Sequence, residues 1–193
     1  PRYENVLDPV TLLPELEVDR LRVAPDAARL YGVELSGRWQ WTSQWSGWST
    51  YAWSEAKDRV DGRWVARSWN QLHAVSAGAA WTRGPWEISA NVRWHSGWRQ
   101  TLIDAAGGGP PVVRRNGTAW GDYLSLDLRS TWSRPLPRGA LRLWVDVSNA
   151  TGRSNPCCSE LAVERGGATP AIERLERAWL PRYAIVGATW ELP

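Results

Sequence analysis

Two cysteines and two histidines are the first places to look for chemistry in this chain. Cys157 and Cys158 are adjacent, so they cannot staple distant parts of the chain to each other, and their spacing is not that of a metal site. An oxidising compartment would allow a vicinal disulfide, a bridge to a cysteine upstream, or contact with a soft metal. A structural disulfide of some kind is the expected state. His73 and His95 fall on different strands, and no Asp or Glu pair has the spacing of a general acid and base. The Gly-rich stretch at 107–109 is not followed by Lys-Ser/Thr, so it is a loop tip and not a phosphate cradle. No catalytic residue, cofactor or metal ligand is expected, and the chain does not read as an enzyme.

The remaining polar residues gain meaning from the elements that carry them. From Trp86 onward, Trp86, Ile88, Ala90, Val92, Trp94 and Trp98 fall on one face, and Glu87, Ser89, Asn91, Arg93, His95 and Arg99 on the other. A period of two marks a β-strand with unlike surroundings on its two sides. The run is longer than the usual strand of about five or six residues. It matches the roughly nine to eleven tilted residues that a strand needs to cross a bilayer.

The same pattern recurs in residues 30–41, 47–56, 73–81, 123–133, 141–149 and 180–192, which gives seven strands. Trp144 breaks the alternation of its segment. Residues 1–5, with Tyr3, are read as the end of an eighth strand. The face opposite the apolar one carries Glu34, Arg38, Glu87, Arg93, Asp127, Arg129, Arg142 and Asp146. In a barrel this face would be the polar, hydrated interior.

Connections alternate in length. Residues 42–46, 83–85 and 134–139 are short, whereas 57–68, 101–119 and 151–179 are long and rich in Gly, Pro and charge. Short turns on one rim and long loops on the other describe an outer-membrane barrel. Sixteen tryptophans with no phenylalanine fit that reading, because an indole pairs an apolar body with a polar N–H. Trp39, Trp41, Trp45, Trp48, Trp81, Trp86, Trp132 and Trp190 would form a girdle at the short-turn rim. Trp69, Trp94, Trp98, Trp120 and Trp179 would lie near the other. A net charge of +3, with acids and bases interleaved, gives no basis for a nucleic-acid partner.

With no methionine and a proline at position 1, the chain is expected to be part of a longer one. Seven strands and a stub leave sheet edges that lipid does not tolerate. The expected fold is therefore all-β: a membrane-spanning, antiparallel up-and-down segment of about seven or eight strands from a larger barrel. Two alternatives are a Trp-rich soluble β-sandwich that binds glycans and a small, non-transporting eight-stranded barrel.

Ala28-Arg29-Leu30-Tyr31-Gly32-Val33-Glu34-Leu35 resembles the "GVEL" strand near the C-terminal end of TonB-dependent outer-membrane receptors. In that family a short turn and a Y-x-W/Y strand follow, here Tyr51-Ala52-Trp53. Tyr123-Leu124-Ser125-Leu126-Asp127-Leu128-Arg129 is similar to the family's penultimate hairpin opening. Val145-Asp146-Val147-Ser148-Asn149-Ala150-Thr151 is similar to its V-x-N-L-F/T-D strand end. Trp179-Leu180-Pro181-Arg182-Tyr183 resembles its P-x-R approach to the last strand. The order and spacing of these motifs hold over the whole chain.

The resemblance implies that residues 1–193 are the C-terminal portion of a barrel of 22 strands, without the N-terminal plug that closes it. It further implies uptake of a scarce ligand, such as a ferric siderophore or cobalamin, across the bacterial outer membrane. Implied partners are outer-membrane lipids, the plug and remaining strands, TonB through the missing N-terminal part, and the barrel-assembly machinery. Glu34, Arg38, Arg93, Asp127, Arg129, Arg142 and Asp146 would face the lumen and the plug. Gly187, Trp190 and Leu192 resemble the family's Gly-x-x-aromatic-x-hydrophobic assembly signal, although that signal usually ends in an aromatic residue and this chain reads Leu192-Pro193. In such a protein the glycosylation patterns Asn116-Gly117-Thr118 and Asn149-Ala150-Thr151 carry no weight.

Overall fold

The computed structural model describes residues 2–5, 20–104, 112–164 and 171–192. Among them lie the strands β1 (Arg2–Asn5), β2 (Arg20–Val23), β3 (Ala27–Gln40), β4 (Trp45–Val60), β5 (Arg63–Ala66), β6 (His73–Arg83) and β7 (Trp86–His95). The second half supplies β8 (Arg99–Asp104), β9 (Val112–Ala119), β10 (Tyr123–Leu136), β11 (Gly139–Ser148), β12 (Pro156–Glu164), β13 (Ala171–Ala178) and β14 (Tyr183–Glu191). Seven long strands make one sheet in the order β14-β11-β10-β7-β6-β4-β3, and β5 folds back on the outer half of β4. Every pairing is antiparallel. These are the seven segments whose alternation the sequence shows. β3 and β14 are the sheet's outer strands, so the described residues form an open, curved wall and not a closed barrel.

The turns on the two rims differ in kind. On one rim, Gly84 with φ of 58° joins β6 to β7, and Gly139 with φ of 100° opens β11. At the β3–β4 turn the Thr42 hydroxyl accepts from the amides of Gln44 and Trp45, each at 3.1 Å. On the other rim the strands run on. Asp61 and Gly62, both at positive φ, form a two-residue hairpin between β4 and β5, as primed turns require.

Residues 101–119 and 151–179, expected as loops, contain the hairpins β8–β9 and β12–β13. Their sequences carry no sustained period of two, so backbone pairing alone marks them. Tyr3 lies in β1, opposite Arg22 of β2.

The register puts Val33, Leu35, Val75, Val92, Leu126, Leu128, Leu143, Val145 and Val186 on one face. That face stays open: Leu35 is 65% exposed, Ile88 46% and Val186 77%. Among the described residues the buried hydrophobic ones are Trp120 and Cys157, whereas Asp58, Asn70, Gln100, Thr101, Asn116, Ser125, Asn149 and Asn155 are buried polar residues. This distribution is the reverse of a water-soluble core, where large apolar side chains are inside. A sandwich would need a second sheet over the apolar face, and among the described residues that face has none.

At the short-turn rim, Trp39 stacks on Trp41 at 6.4 Å and Trp45 meets Trp81 at 6.5 Å. Trp190 donates to the Arg138 carbonyl at 3.0 Å. Three tryptophans depart from the expected girdles. Trp48 pairs with Arg38 and Gly78, which puts it on the polar face. Trp98 lies past the end of β7, where its ring stacks on His95 at 5.2 Å and its N–H reaches Gln71 at 2.8 Å. Trp120 is buried among the loop bases. Trp144, the exception in its own segment, is on the polar face opposite Gly187.

Candidate functional site

The sheet curls around an open cavity of about 1400 Å³, lined by Glu34, Arg38, Asn91, Asp127, Arg129 and Asp146 among others. Strand alternation brings these side chains to one side, and antiparallel register sets which of them meet. Asn91 faces Asp127 across β7–β10, and Arg129 faces Asp146 across β10–β11.

Opposite charges pair across the strands. Arg93 meets Asp127 at 2.8 Å, Arg129 meets Asp146 at 3.3 Å, and Arg142 meets Glu191 at 3.3 Å. The arginines are half exposed, so each such pair on its own contributes only about 0–1 kcal/mol. Asp127 differs. It also accepts from the Ser125 hydroxyl at 2.8 Å and from the Asn149 amide at 2.9 Å. It therefore ties β7, β10 and the turn after β11 to one carboxylate. Glu34 and Arg38, on the outer strand β3, have no hydrogen-bond or ion-pair partner among the described residues.

The long-loop end of this face is held by amides. Asn155 accepts from the Leu124 amide at 2.8 Å and donates to its carbonyl at 2.9 Å, so its side chain imitates a strand neighbour. Asn116 donates to the Ala66 carbonyl at 2.8 Å and accepts from Ser68 at 3.2 Å, joining β9 to the base of β5. Asn70 accepts from the Ala56 amide at 2.7 Å, and buried Asp58 takes Arg67 at 2.7 Å. Each satisfies a polar backbone or charged group that would otherwise cost about 1–3 kcal/mol. Asn116 and Asn149, which match glycosylation patterns, are 4% and 5% exposed and sit at positive φ. The signal for that role was present in their tolerance of left-handed backbone and, for Asn116, in the glycine after it. Asn155 and Asn70 have no comparable signal, since their partners are distant in sequence.

The two histidines are not brought together. Ala74 is opposite His95, which puts His73 and His95 on opposite faces. His73 bonds Tyr51 at 2.9 Å, and His95 stacks on Tyr123 at 4.9 Å. Cys157 and Cys158 form a vicinal disulfide, with Cys157 at the irregularity where β12 begins to pair with β13. Residues 107–109 lie outside the described residues. No group of three or more His, Cys, Asp or Glu that could hold a metal occurs among the described residues, and no helix there is long and apolar enough to cross a membrane. The arrangement is a polar wall with paired charges.

A family model described as TonB dependent receptor-like, beta-barrel matches residues 2–150. The match ends two residues beyond β11, and β14 continues the same sheet by pairing with β11. No curated protein and no solved structure matches the chain.

Proposed function

From the premise that this chain belongs to the TonB-dependent receptor-like β-barrel family, we propose that it is the C-terminal part of the wall of an outer-membrane uptake receptor. Members of the family are non-catalytic transporters. In this reading the seven long strands continue an upstream sheet to complete a barrel of 22 strands around a plug. TonB acts on the missing N-terminal part to drive import of a scarce ligand, such as a ferric siderophore or cobalamin. Glu34, Arg38, Arg93, Asp127, Arg129, Arg142 and Asp146 face the lumen. Arg93, Asp127, Arg129 and Asp146 are engaged with one another there, and Glu34 and Arg38 are left to bind the plug or the preceding strand.

The observation that carries this reading is the inverted surface of the wall. Among the described residues its apolar face is uncovered, its polar face holds the ion pairs, and large apolar residues stand exposed from end to end. A bilayer satisfies such a face, since lipid accepts apolar side chains and demands that backbone groups pair within the sheet. The test is fractionation of cells making the full-length protein, with carbonate-washed membranes. Recovery in the outer membrane, together with ligand uptake that stops when TonB is removed, is the expected result. Recovery in the soluble fraction ends the reading.

A further inference from the structure

Just beyond the outer aromatic belt, the lipid-side face of β3, β4 and β5 turns from apolar to basic. Tyr31 and Trp53, 5.7 Å apart on this face, are taken in the membrane reading as the belt at this point. Two residues further out, Arg29 is opposite Lys57; the next rung holds Arg59, which pairs with Ala27 on one side and Trp64 on the other. The Arg29 guanidinium lies 4.2 Å from the centre of the Trp64 ring. Glu55 is the one carboxylate on this face of the three strands, and it is engaged by Lys57 at 2.6 Å and by the Tyr31 hydroxyl. Arg29 and Arg59 have no carboxylate partner among the described residues.

We propose that Arg29, Lys57 and Arg59 form a binding site for the phosphate groups of outer-leaflet lipid headgroups, floored by Trp64. The proposal rests on the membrane reading above. Height decides the class of ligand. Two residues are about 7 Å of strand, or about 5 Å of height at a tilt near 40°. The headgroup layer on each side of the hydrocarbon is about 5–7 Å thick. With the Tyr31–Trp53 belt at the hydrocarbon boundary, Arg29 and Lys57 stand at phosphate level, outside the barrel and away from any imported ligand. A guanidinium stacked on an indole keeps its N–H edges free, and that planar fork matches two phosphate oxygens. A merely solvated strand face would also carry charge, but it would have no reason to place an aromatic floor under an unpaired arginine beside the belt.

The test uses the full-length protein purified in detergent, with native mass spectrometry reading bound lipid. Bisphosphorylated lipid A and its dephosphorylated form are the probes, and inorganic phosphate in excess is the competitor. Each basic side chain at an anionic surface contributes about fivefold in affinity. The double variant Arg29→Gln/Arg59→Gln is therefore expected to retain the phosphorylated lipid about 25-fold less well. Arg63→Gln, on the opposite face of β5, leaves retention unchanged. The wild-type protein itself should prefer the phosphorylated lipid, a readout that needs no variant. Equal retention of the two lipids, or equal retention by wild type and double variant, overturns the site. Displacement by inorganic phosphate overturns the lipid assignment in favour of a free-anion site. In either case heat-modifiable mobility in the outer-membrane fraction shows that the barrel reading survives. Recovery of the protein in the soluble fraction removes both.

Discussion

The indole of Trp144 lies across Gly187, its directly paired residue on the neighbouring strand, and a Cβ at that glycine would come within 2.3–2.9 Å of the ring atoms. The Arg129 guanidinium sits 5.0 Å from the centre of the same ring. Trp144 is thus on the polar face because it covers a glycine there and receives a cation, and its departure from alternation is a designed contact. Gly187→Val should displace the indole and destabilise the sheet by about 1–3 kcal/mol. In a Trp144→Ala background the same change should cost distinctly less, since the two residues share one contact. Urea unfolding of the four proteins in detergent measures the coupling; additive losses would show that the ring and the glycine act independently.

Gly187, Trp190 and Leu192 also have the spacing of an assembly signal, and this role can be separated from packing. Trp190 and Leu192 are 61% and 68% exposed, so their loss removes little internal contact. Trp190→Ala with Leu192→Ala should lower the heat-modifiable fraction in cell membranes while leaving the urea midpoint of refolded protein nearly unchanged. A matching fall in both would mean that the pair stabilises the wall instead of guiding its insertion.

Adjacent positions on β7 test the two faces. Val92 is between Ala77 and Leu126 on the apolar face, whereas Asn91 lines the cavity. Val92→Arg near mid-strand should cost about 2–4 kcal/mol in lipid, and Asn91→Arg should be tolerated. Folding in vesicles with a urea series compares them, and equal penalties would mean that the faces are reversed.

Asp127 should matter more than its arginine partner. It holds Arg93, Ser125 and the Asn149 amide together, so Asp127→Ala leaves a buried amide at the turn without its acceptor. A loss of about 1–3 kcal/mol is expected, against about 0–1 kcal/mol for Arg93→Ala. Limited proteolysis after Ala150 should accelerate only in the aspartate variant. Equal losses in both would reduce Asp127 to a surface ion pair.

These residues also mark what the sequence makes legible. Val92 and Asn91 can be assigned from the alternation around them, because a period of two is a property of neighbours along one strand. The same holds for the polar-face charges, each of which takes its side from its own segment. Trp144 cannot be assigned that way: its reason is Gly187, which becomes its neighbour only through the β11–β14 register. Asn155 is similar, since it completes the backbone of Leu124, 31 residues earlier. The hairpins β8–β9 and β12–β13 are hidden for a third reason: their strands carry no sustained period of two, and only the backbone register joins them.

The β12–β13 hairpin should stand on the cell surface. Its base is fixed to the rim opposite the short turns: Trp179 donates to the Asn155 carbonyl at 2.8 Å, and Asn155 grips Leu124 at the start of β10. β14 then runs back to the short-turn rim, where Glu191 pairs with Ala140 and Trp190 reaches Arg138. If the short turns are periplasmic, as in outer-membrane barrels, this hairpin points outward. It carries the Cys157–Cys158 disulfide and a mixed set of charges that includes Glu160, Glu164, Glu173, Arg174, Glu176 and Arg177, with Arg153 just before it, and in the proposed uptake role it would border the ligand's entry. Gly166 and Gly167, between the two strands, lie outside the described residues and offer a site for an epitope tag. Antibody should label intact cells carrying the tag there, and a tag between Pro137 and Arg138 should be reached only after the outer membrane is permeabilised. The opposite pattern would invert the wall and remove the hairpin from the ligand's approach.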